Sequence, residues 1–364
     1  MACREDNNES RTIEWLRFVL AVLVVCLHCS KAPGLTITSG ASGALRIAVV
    51  ILGQIPVPIF FVISGYFFFS GLQQWSWSLW KTKITKRCRT ILLPYVLWCI
   101  IALIMKFIWG HMHDSSLNFA DYWNSIGGIR TFYDACIPER TANLFGYDVG
   151  EGMPVNAPLW YIRDLFIISL LSPALYQLIK RLKEPGLVIL ALLYVFNVGF
   201  PFAGCSIKGI FFFCLGGYFM INGRQLADSF LKVKTPAYLI SGLLFVALMP
   251  IYDSELYFVL RPIFVIAGVA ATFNLAYRLV SAGKVKCRPI LSNSSFFIYA
   301  SHTVVILDLS NFILWRLLPF ENEFVLTLKV FLRPALAVGI CLGLFFLMRR
   351  FMPKTLSMLT GNRK

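Results

Sequence analysis

The first apolar stretch of the chain carries two residues that could do chemistry, Arg17 and His28. Eleven helical residues make about three turns, so the two side chains share one face about 16 Å apart along the axis. An arginine at one end could bind an anion, and an imidazole at the other could take a proton from a hydroxyl near neutral pH. Glu14 lies one turn before Arg17 and is expected to pair with it. The spacing alone is equally compatible with His28 as a satisfied core histidine.

Two later stretches place further polar side chains in apolar surroundings. Arg163 and Asp164 lie at a depth comparable with His28. Tyr299 and His302 are three residues apart and face the same way. A charged side chain at the centre of a membrane helix costs at least about 2.5–3.5 kcal/mol, so each needs a partner or a function. Asp164 either forms a structural ion pair or orients an imidazole, as carboxylates do in acid–base sites.

A basic cluster at Lys86, Arg87 and Arg89 precedes the third apolar stretch. Positive charge beside a span is typical of an anchor on the cytoplasmic side. A second interpretation is a phosphate clamp, because arginine binds phosphate through two parallel hydrogen bonds. A cytosolic donor that carries a nucleotide, such as acyl-CoA, would need a clamp of this kind.

The elements that must position these residues are membrane helices. Of 364 residues, 58% are hydrophobic and 14% are charged, whereas soluble domains carry roughly a quarter charged residues. The sequence therefore predicts an all-α polytopic membrane protein that forms one domain over residues 1–364. About ten stretches approach the length of a span, at 12–31, 45–69, 90–109, 158–179, 187–201, 206–222, 236–252, 256–280, 290–312 and 327–349.

The net charge of +16 reports orientation. With the N-terminus inside, most lysines and arginines lie in the inner connections, which is the positive-inside signal. An even number of spans then predicts both termini in the cytoplasm. This distribution argues against a nucleic-acid partner.

The second stretch contains Pro56, Pro58 and a Ser64-Gly65 step. Prolines allow a kink in a membrane helix, and small residues let neighbouring helices approach closely. We therefore predict a kink and close packing at this step.

The longest connection, residues 110–157, is predicted on the outer side. It contains six acidic residues, two arginines and seven aromatic residues. Two interpretations are equally supported: a surface whose rings and carboxylates bind sugars, and a pair of interfacial helices with an aromatic belt. His111 and His113 are interpreted as ordinary loop residues.

The ten cysteines are interpreted as small buried hydrophobes. Cys26 and Cys29 flank His28 as a C-x-H-C match, which offers too few ligands for a metal site, so no metal is expected.

Five segments together resemble the integral membrane acyltransferase family 3. The resemblance covers roughly residues 12–348, and it depends on the order and spacing of the segments. They are Arg17-x10-His28, Phe60–Tyr66, the basic cluster before Leu93-Pro94-Tyr95, Leu159–Leu165 and Phe297–His302.

The resemblance implies an enzyme that transfers an acyl group, usually from acetyl-CoA on the cytoplasmic side, to a glycan hydroxyl. It implies a bacterial cytoplasmic (inner) membrane protein whose partners are acyl-CoA, a glycan or lipid-linked saccharide acceptor and the lipid bilayer. It assigns catalysis to His28. Asp164, Tyr299 and His302 would orient and polarise the reacting groups. The donor-side residues would be Arg17, Glu14, Lys86, Arg87 and Arg89, and the acceptor-side residues Trp160, Tyr161, Arg163 and Ser64.

The chain departs from the family pattern in its first motif and in the basic cluster. Glu14 and Trp15 stand where the family usually has Asp and Gly, and Lys86 stands where an arginine is usual. The leading hypothesis is an O-acyltransferase in which His28 is either a general base or a transient acyl acceptor. A transporter or flippase is the alternative, since intramembrane Arg, His and Asp also build proton relays. A membrane-embedded sensor domain is a third.

Overall fold

The computed structural model describes residues 2–31, 40–72, 74–134, 152–198 and 203–362, and within these ranges every regular element is a helix. The all-α prediction is confirmed for this part of the chain. Two π-helical turns, Cys88–Leu92 and His302–Ile306, each join two consecutive α-helices. The helices are α1 Ala2–Lys31, α2 Gly40–Leu52, α3 Pro56–Phe69, α4 Trp77–Arg87, α5 Leu93–His113, α6 Phe119–Ser125, α7 Trp160–Leu170, α8 Ser172–Val195, α9 Ile207–Ile221, α10 Leu226–Leu231, α11 Lys234–Leu248, α12 Glu255–Ser281, α13 Pro289–Ser301, α14 Leu307–Leu317, α15 Glu323–Phe351 and α16 Pro353–Leu359.

Six helical stretches among the described residues are long and apolar enough to cross a membrane. A seventh is added if α7 and α8, which are bent by 69°, form one span, and α9 and α11 are shorter apolar helices. The prediction of several membrane-spanning helices is confirmed, whereas the count of ten and the cytoplasmic position of both termini stay predictions. The six are Asn8–Ser30, Gly40–Phe69, Trp77–His113, Glu255–Ser281, Pro289–Leu317 and Glu323–Phe351.

Apolar side chains on the outside of the bundle fit this assignment. On α11, Leu239 is 61% exposed, Leu243 is 73% exposed and Val246 is 68% exposed. In water these side chains would form a costly apolar face, whereas lipid tails solvate them.

The predicted span 158–179 contains a bend of 69° between α7 and α8. α7 ends at Leu170 and α8 begins at Ser172, with Pro173 in its first turn. The predicted inner connection 180–186 is helical within α8, except that Lys183 adopts φ 44° and ψ −129° two residues before Pro185. Proline lacks a backbone donor and disfavours helical geometry just before it, which explains both departures.

The closest helix packing joins α3 to α9. A methyl group built on Gly65 would overlap the carbonyl oxygen of Phe213, and one built on Gly216 would overlap that of Val62. The two backbones are therefore in direct contact, which confirms the close approach predicted at Ser64-Gly65. Residues 53–55 separate α2 from α3, just before Pro56, whereas α3 runs without a break through Ser64-Gly65.

The first part of the predicted outer connection is helical. Phe107 of α5 packs edge-on against Phe119 of α6 with ring centroids 5.3 Å apart, and Tyr122 lies 5.6 Å from Phe107. This favours interfacial helices with an aromatic belt for residues 110–134. The rest of the connection, residues 135–151 with Glu139, Asp148 and Glu151, lies outside the described residues.

Candidate active site

A cavity of about 270 Å³ opens between α1, α3, α4, α7 and α13. Its walls come from helices that are far apart in sequence. Five residues predicted for the site line it: Arg17, Ser64, Arg87, Tyr161 and Tyr299. The other lining residues are Phe60, Ile63, Phe67, Ile91, Ile162, Leu165, Ser292, Asn293, Ser295 and Phe296.

Arg17 and Arg87 give this cavity its positive charge. The Arg17 side chain is exposed. The carboxylate of Glu14 acts on it electrostatically, but among the described ion pairs, which extend to 4.0 Å, there is none between them. The predicted Glu14–Arg17 pair is therefore not formed as a direct ion pair, and the Arg17 guanidinium can accept an anion.

Arg87 is held from two sides. Its guanidinium donates to the Ser169 hydroxyl of α7 and, at 3.2 Å, to the Ser64 carbonyl of α3. It also lies 4.6 Å from the centre of the Phe68 ring, at a distance typical of a cation–π contact. Its position is thus fixed in the absence of any ligand.

The residues of the predicted phosphate clamp lie in two separate places. Arg87 lines the cavity, whereas Lys86 and Arg89 line a separate open groove together with Lys81. The π-helical turn Cys88–Leu92 begins between Arg87 and Arg89 and changes the helical phase there. Pro94, just after this turn, lacks the backbone donor of a regular helix, which gives a physical reason for the irregularity.

Aromatic rings form the wall of the cavity between its basic residues and its far end. The Tyr161 ring lies 4.7 Å from Phe61 and 6.1 Å from Tyr299. The Tyr161 and Ser64 hydroxyls are 3.4 Å apart. Trp160, also predicted to meet substrate, is not a lining residue of this cavity, and its ring lies 4.4 Å from the Lys208 ammonium.

Two imidazoles meet just behind Tyr299. The rings of His28 and His302 are 5.2 Å apart, and that of His302 is 6.3 Å from the Tyr299 ring. Neither histidine is a lining residue of the cavity. Tyr299 lines the cavity, and its hydroxyl donates to the Pro158 carbonyl.

The hydrogen bonding of His302 defines its chemistry. Its Nδ1 lies 3.1 Å from the Ile298 carbonyl oxygen, and a carbonyl only accepts, so Nδ1 carries the proton. Nε2 is then the basic nitrogen of the neutral ring. It is buried and has no hydrogen-bond partner among the described residues. A buried polar atom in this condition is an exception that needs an explanation, and a reacting partner is one.

The backbone is irregular directly after His302. Val305 adopts φ 65° within the π-helical turn His302–Ile306. A β-branched residue in the left-handed region is strained by roughly 1–3 kcal/mol, and such strain clusters at functional sites. No feature of the sequence predicted it.

Arg163 and Asp164 form a separate, buried ion pair. The Asp164 side chain is fully buried, and its Oδ1 accepts from Nε and Nη2 of Arg163 at 3.0 and 2.8 Å. The remaining guanidinium nitrogen donates to the carbonyls of Tyr133 and Gly152. Arg163 thus ties the outer connection to α7, and it lies on an apolar recess away from the main cavity. The role of Asp164 in orienting an imidazole stays a prediction.

Comparison with known proteins agrees with the resemblance. Residues 11–350 match the profile of the acyltransferase 3 family, described as an acyltransferase domain. The chain is 28% identical over 370 residues to the succinoglycan biosynthesis protein ExoH of Rhizobium meliloti (strain 1021), covering 98% of this chain and 94% of that protein. No solved structure matches the chain. The chain therefore belongs to the integral membrane acyltransferase family 3 and is an acyltransferase.

Proposed function

We propose that this enzyme moves an acyl group, expected to be acetyl, from cytosolic acyl-CoA to a hydroxyl of a cell-surface or lipid-linked glycan. One observation carries the proposal: a cavity with two arginines on its wall extends to Tyr299, and a pair of imidazoles lies directly behind that residue. A CoA thioester needs cations for its phosphates and a base for the hydroxyl that attacks its carbonyl.

The basic part of the cavity suits the donor. Arg17 is exposed and Arg87 is fixed by Ser169 and Ser64, so together they offer one adaptable and one preorganised guanidinium. The volume of about 270 Å³ lies near the lower end of small-molecule sites, which span roughly 300–1,000 Å³. It therefore suits the slender thioester arm. The groove lined by Lys86 and Arg89 could hold outlying phosphates.

The imidazole pair suits proton transfer. The acceptor hydroxyl oxygen forms an ester bond to the thioester carbonyl carbon, the carbon–sulfur bond breaks, and an imidazole takes the hydroxyl proton and returns it to the leaving thiolate. His28 is half-buried and is the nearer candidate for contact with substrate, while Nε2 of His302 can receive or share the proton. Tyr299, which lines the cavity beside His302, must turn aside or bridge, since neither imidazole lines the cavity. Formation of an acyl-histidine on His28 is the alternative route.

The proposed acceptor is a glycan because the relative ExoH is named for succinoglycan biosynthesis. The apolar spans place the enzyme in a membrane, for which we propose the bacterial cytoplasmic membrane. A hydroxyl that reaches His28 from the end of α1 opposite Arg17 would meet the thioester between the two ends.

The test is acyl transfer by His28→Ala in membrane vesicles, with radiolabelled acetyl-CoA and extracted glycan. General acid–base catalysis contributes roughly 10²–10⁴-fold, so incorporation should fall by that factor. His111→Ala is the matched control, because His111 lies in the last turn of α5, is not a lining residue of the cavity and has its Nδ1 2.9 Å from the Leu117 carbonyl oxygen. Full activity of His28→Ala would overturn the site assignment, and movement of substrate without covalent change would indicate transport.

A further inference from the structure

One buried side chain outside the cavity is hydrogen-bonded to the backbone and side chain on either side of His302. Asn156 lies at the end of the outer connection, just before the short helical turn Ala157–Leu159 that leads into α7. It is 0% exposed and is not a lining residue of the cavity. No sequence motif and no step of the proposed reaction gives it a role.

Both polar groups of the Asn156 side chain bind the stretch that carries His302. Nδ2 donates to the carbonyl of Ala300 at 2.9 Å, and Oδ1 accepts from the hydroxyl of Thr303, also at 2.9 Å. Ala300 is two residues before His302, and Thr303 is the residue directly after it. A single side chain therefore bridges the chain across His302.

The backbone is irregular at this point and needs such support. Val304 adopts ψ 76° and Val305 adopts φ 65°, so helical geometry is lost directly after Thr303. Strained backbone persists only where the surrounding structure fixes it. The bond between Thr303 and Asn156 gives the last residue before the irregularity a partner from outside its own helix.

Asn156 is itself held by the elements around it. The N–H of its neighbour Val155 donates to the carbonyl of Thr131 at 2.7 Å, and the carbonyl of Val155 accepts from the ammonium of Lys106 on α5 at 2.8 Å. The carbonyl of Asn156 accepts from the N–H of Leu159 at 2.9 Å. The side chain thus joins the irregular turn to α5 and to the outer connection.

The position of the His302 ring depends on this backbone. Nδ1 lies 3.1 Å from the Ile298 carbonyl oxygen, but Nε2 makes no hydrogen bond within the described residues. The place of Nε2 is therefore set by the backbone and by the packing of the ring. A misplacement of about 1 Å at a reacting group can lower a rate about a hundredfold.

We propose that Asn156 is a positioning residue for acyl transfer: by binding Ala300 and Thr303 it holds His302 so that Nε2 meets the proton that moves. This inference rests on the proposed function, since it assumes that His302 receives or shares that proton. Asn156 acts through His302 and does not touch a substrate. A buried asparagine that only stabilises the fold would make the same two hydrogen bonds, so the test needs readouts that stability alone does not change.

The first experiment measures acyl transfer from radiolabelled acetyl-CoA to extracted glycan by purified enzyme in lipid nanodiscs. Asn156→Ala should lower kcat about 10- to 100-fold and leave the KM for acetyl-CoA unchanged, because Asn156 is not a lining residue of the cavity. In the His302→Phe background it should lower kcat no further, since the residue that it positions is gone. Wild-type kcat of Asn156→Ala, or the same loss in both backgrounds, would overturn the inference.

Asn274→Ala is the matched control. Asn274 is also 0% exposed, and its Nδ2 donates to a backbone carbonyl, that of Phe230, at 2.8 Å. It lies on α12 and is not a lining residue of the cavity. Its loss should lower the midpoint of thermal unfolding while kcat of the folded fraction stays near wild type.

A second variant keeps the test valid if Asn156→Ala folds poorly. Thr303→Val retains the shape of a half-buried side chain and removes the hydroxyl that binds Asn156. It should lower kcat about two- to tenfold, the equivalent of one hydrogen bond, and this loss should also vanish in the His302→Phe background. Wild-type kcat of Thr303→Val would contradict the inference.

A second measurement follows the His302 ring without any reaction. The chain has four histidines, so the nuclear magnetic resonance spectrum of a sample with isotope-labelled histidine has few ring signals, and the one lost in His302→Phe belongs to His302. Asn156→Ala should shift this signal, and Asn274→Ala should not. An unmoved signal would overturn the inference. If His302→Phe transfers at the wild-type rate, the proposed function of His302 fails, and a shifted signal would still support the contact through which Asn156 positions the ring.

Discussion

Two pairs of polar residues inside the same bundle differ in their hydrogen bonding. Arg163 and Asp164 are neighbours of opposite charge: two guanidinium nitrogens donate to Oδ1 of Asp164, and the third donates to the carbonyls of Tyr133 and Gly152. His28 and His302 come from opposite ends of the chain, and the buried Nε2 of His302 has no hydrogen-bond partner among the described residues. In the sequence, all four residues were candidate site residues.

This difference in hydrogen bonding distinguishes a pair that stabilises the fold from a pair that can react with a substrate. Removing one partner of a buried ion pair destabilises the fold, whereas a buried basic nitrogen that makes no hydrogen bond within the described residues is available to a substrate. The comparison therefore predicts that changes at the first pair affect stability and that changes at the second affect the rate.

The largest effect is expected at His302. His302→Phe fills the space of the ring and removes Nε2, so acyl transfer should fall by roughly 10²–10⁴-fold, the usual contribution of a proton-transfer group. The midpoint of thermal unfolding in detergent should fall only slightly, because Nε2 makes no hydrogen bond in the described part of the protein and the one bond lost is that of Nδ1 to the Ile298 carbonyl. Loss of folding with retained specific activity would reverse the interpretation.

The next effect is on stability, at Arg163. Arg163→Met leaves the fully buried Asp164 carboxylate without its described partner, so unfolding should become easier by about 3–5 kcal/mol. The double variant Arg163→Met/Asp164→Leu should recover much of that loss, since it removes both charges. Denaturant titration of the three proteins measures this, and a double variant less stable than the single one would contradict the account.

A variant at Gly65 measures how far a loss of stability alone lowers activity. Gly65→Ala forces a methyl group against the Phe213 carbonyl, and overpacking of this kind costs about 1–3 kcal/mol. Because Gly65 is not a lining residue of the cavity, kcat of the folded fraction should stay near wild type. A much lower kcat would mean that the α3–α9 contact acts on the cavity itself.

Arg87 is an intermediate case, since it is tied to the protein and also lines the cavity. Arg87→Lys keeps the charge but loses the simultaneous bonds to Ser169 and Ser64. We expect the KM for acetyl-CoA to rise about tenfold, equivalent to about 1.4 kcal/mol. Arg17→Gln should act similarly and Arg89→Gln less, because Arg89 faces the separate groove. The reverse order would move the phosphate site to that groove.

The smallest effect is expected at an exposed pair of the outer connection. The Arg130 guanidinium, which bonds to Asp134 at 2.9 and 3.1 Å, holds the pKa of that carboxyl below its usual range. A lowered pKa stabilises the fold above the unfolded-state pKa near 4, and this contribution is lost as the pH falls through the lowered value. Asp134→Asn should therefore remove a small stabilisation that is present at neutral pH, and with it part of the fall in stability below about pH 5, measured by thermal unfolding against pH. A large change would show that this pair matters as much as Arg163–Asp164.

The sequence predicted the helical class and most spans, since long apolar runs and their flanking charges carry that information locally. It missed the breaks at Leu171 and Lys183, which depend on how prolines 173 and 185 are packed. It also missed the π-helical turn that separates Arg87 from Arg89, because a change of helical phase leaves no trace in composition.

The site was predicted in parts. The shared face of Tyr299 and His302 followed from their spacing, and Arg17, Ser64, Arg87 and Tyr161 do line one cavity. The contact between His28 and His302 could not be derived from spacing, because it joins helices remote in sequence. One signal was available: of the four histidines in the chain, these are the two in apolar spans.

A double-mutant cycle on the imidazole pair tests the central claim most directly. Single-turnover transfer is measured for His28→Ala, His302→Ala and the double variant, with acetyl-CoA binding measured on the same samples. Residues that act as a unit are not additive, so the double variant should lose no more rate than the worse single variant, and binding should persist in all three. Losses that multiply, or wild-type transfer by either single variant, would contradict the account.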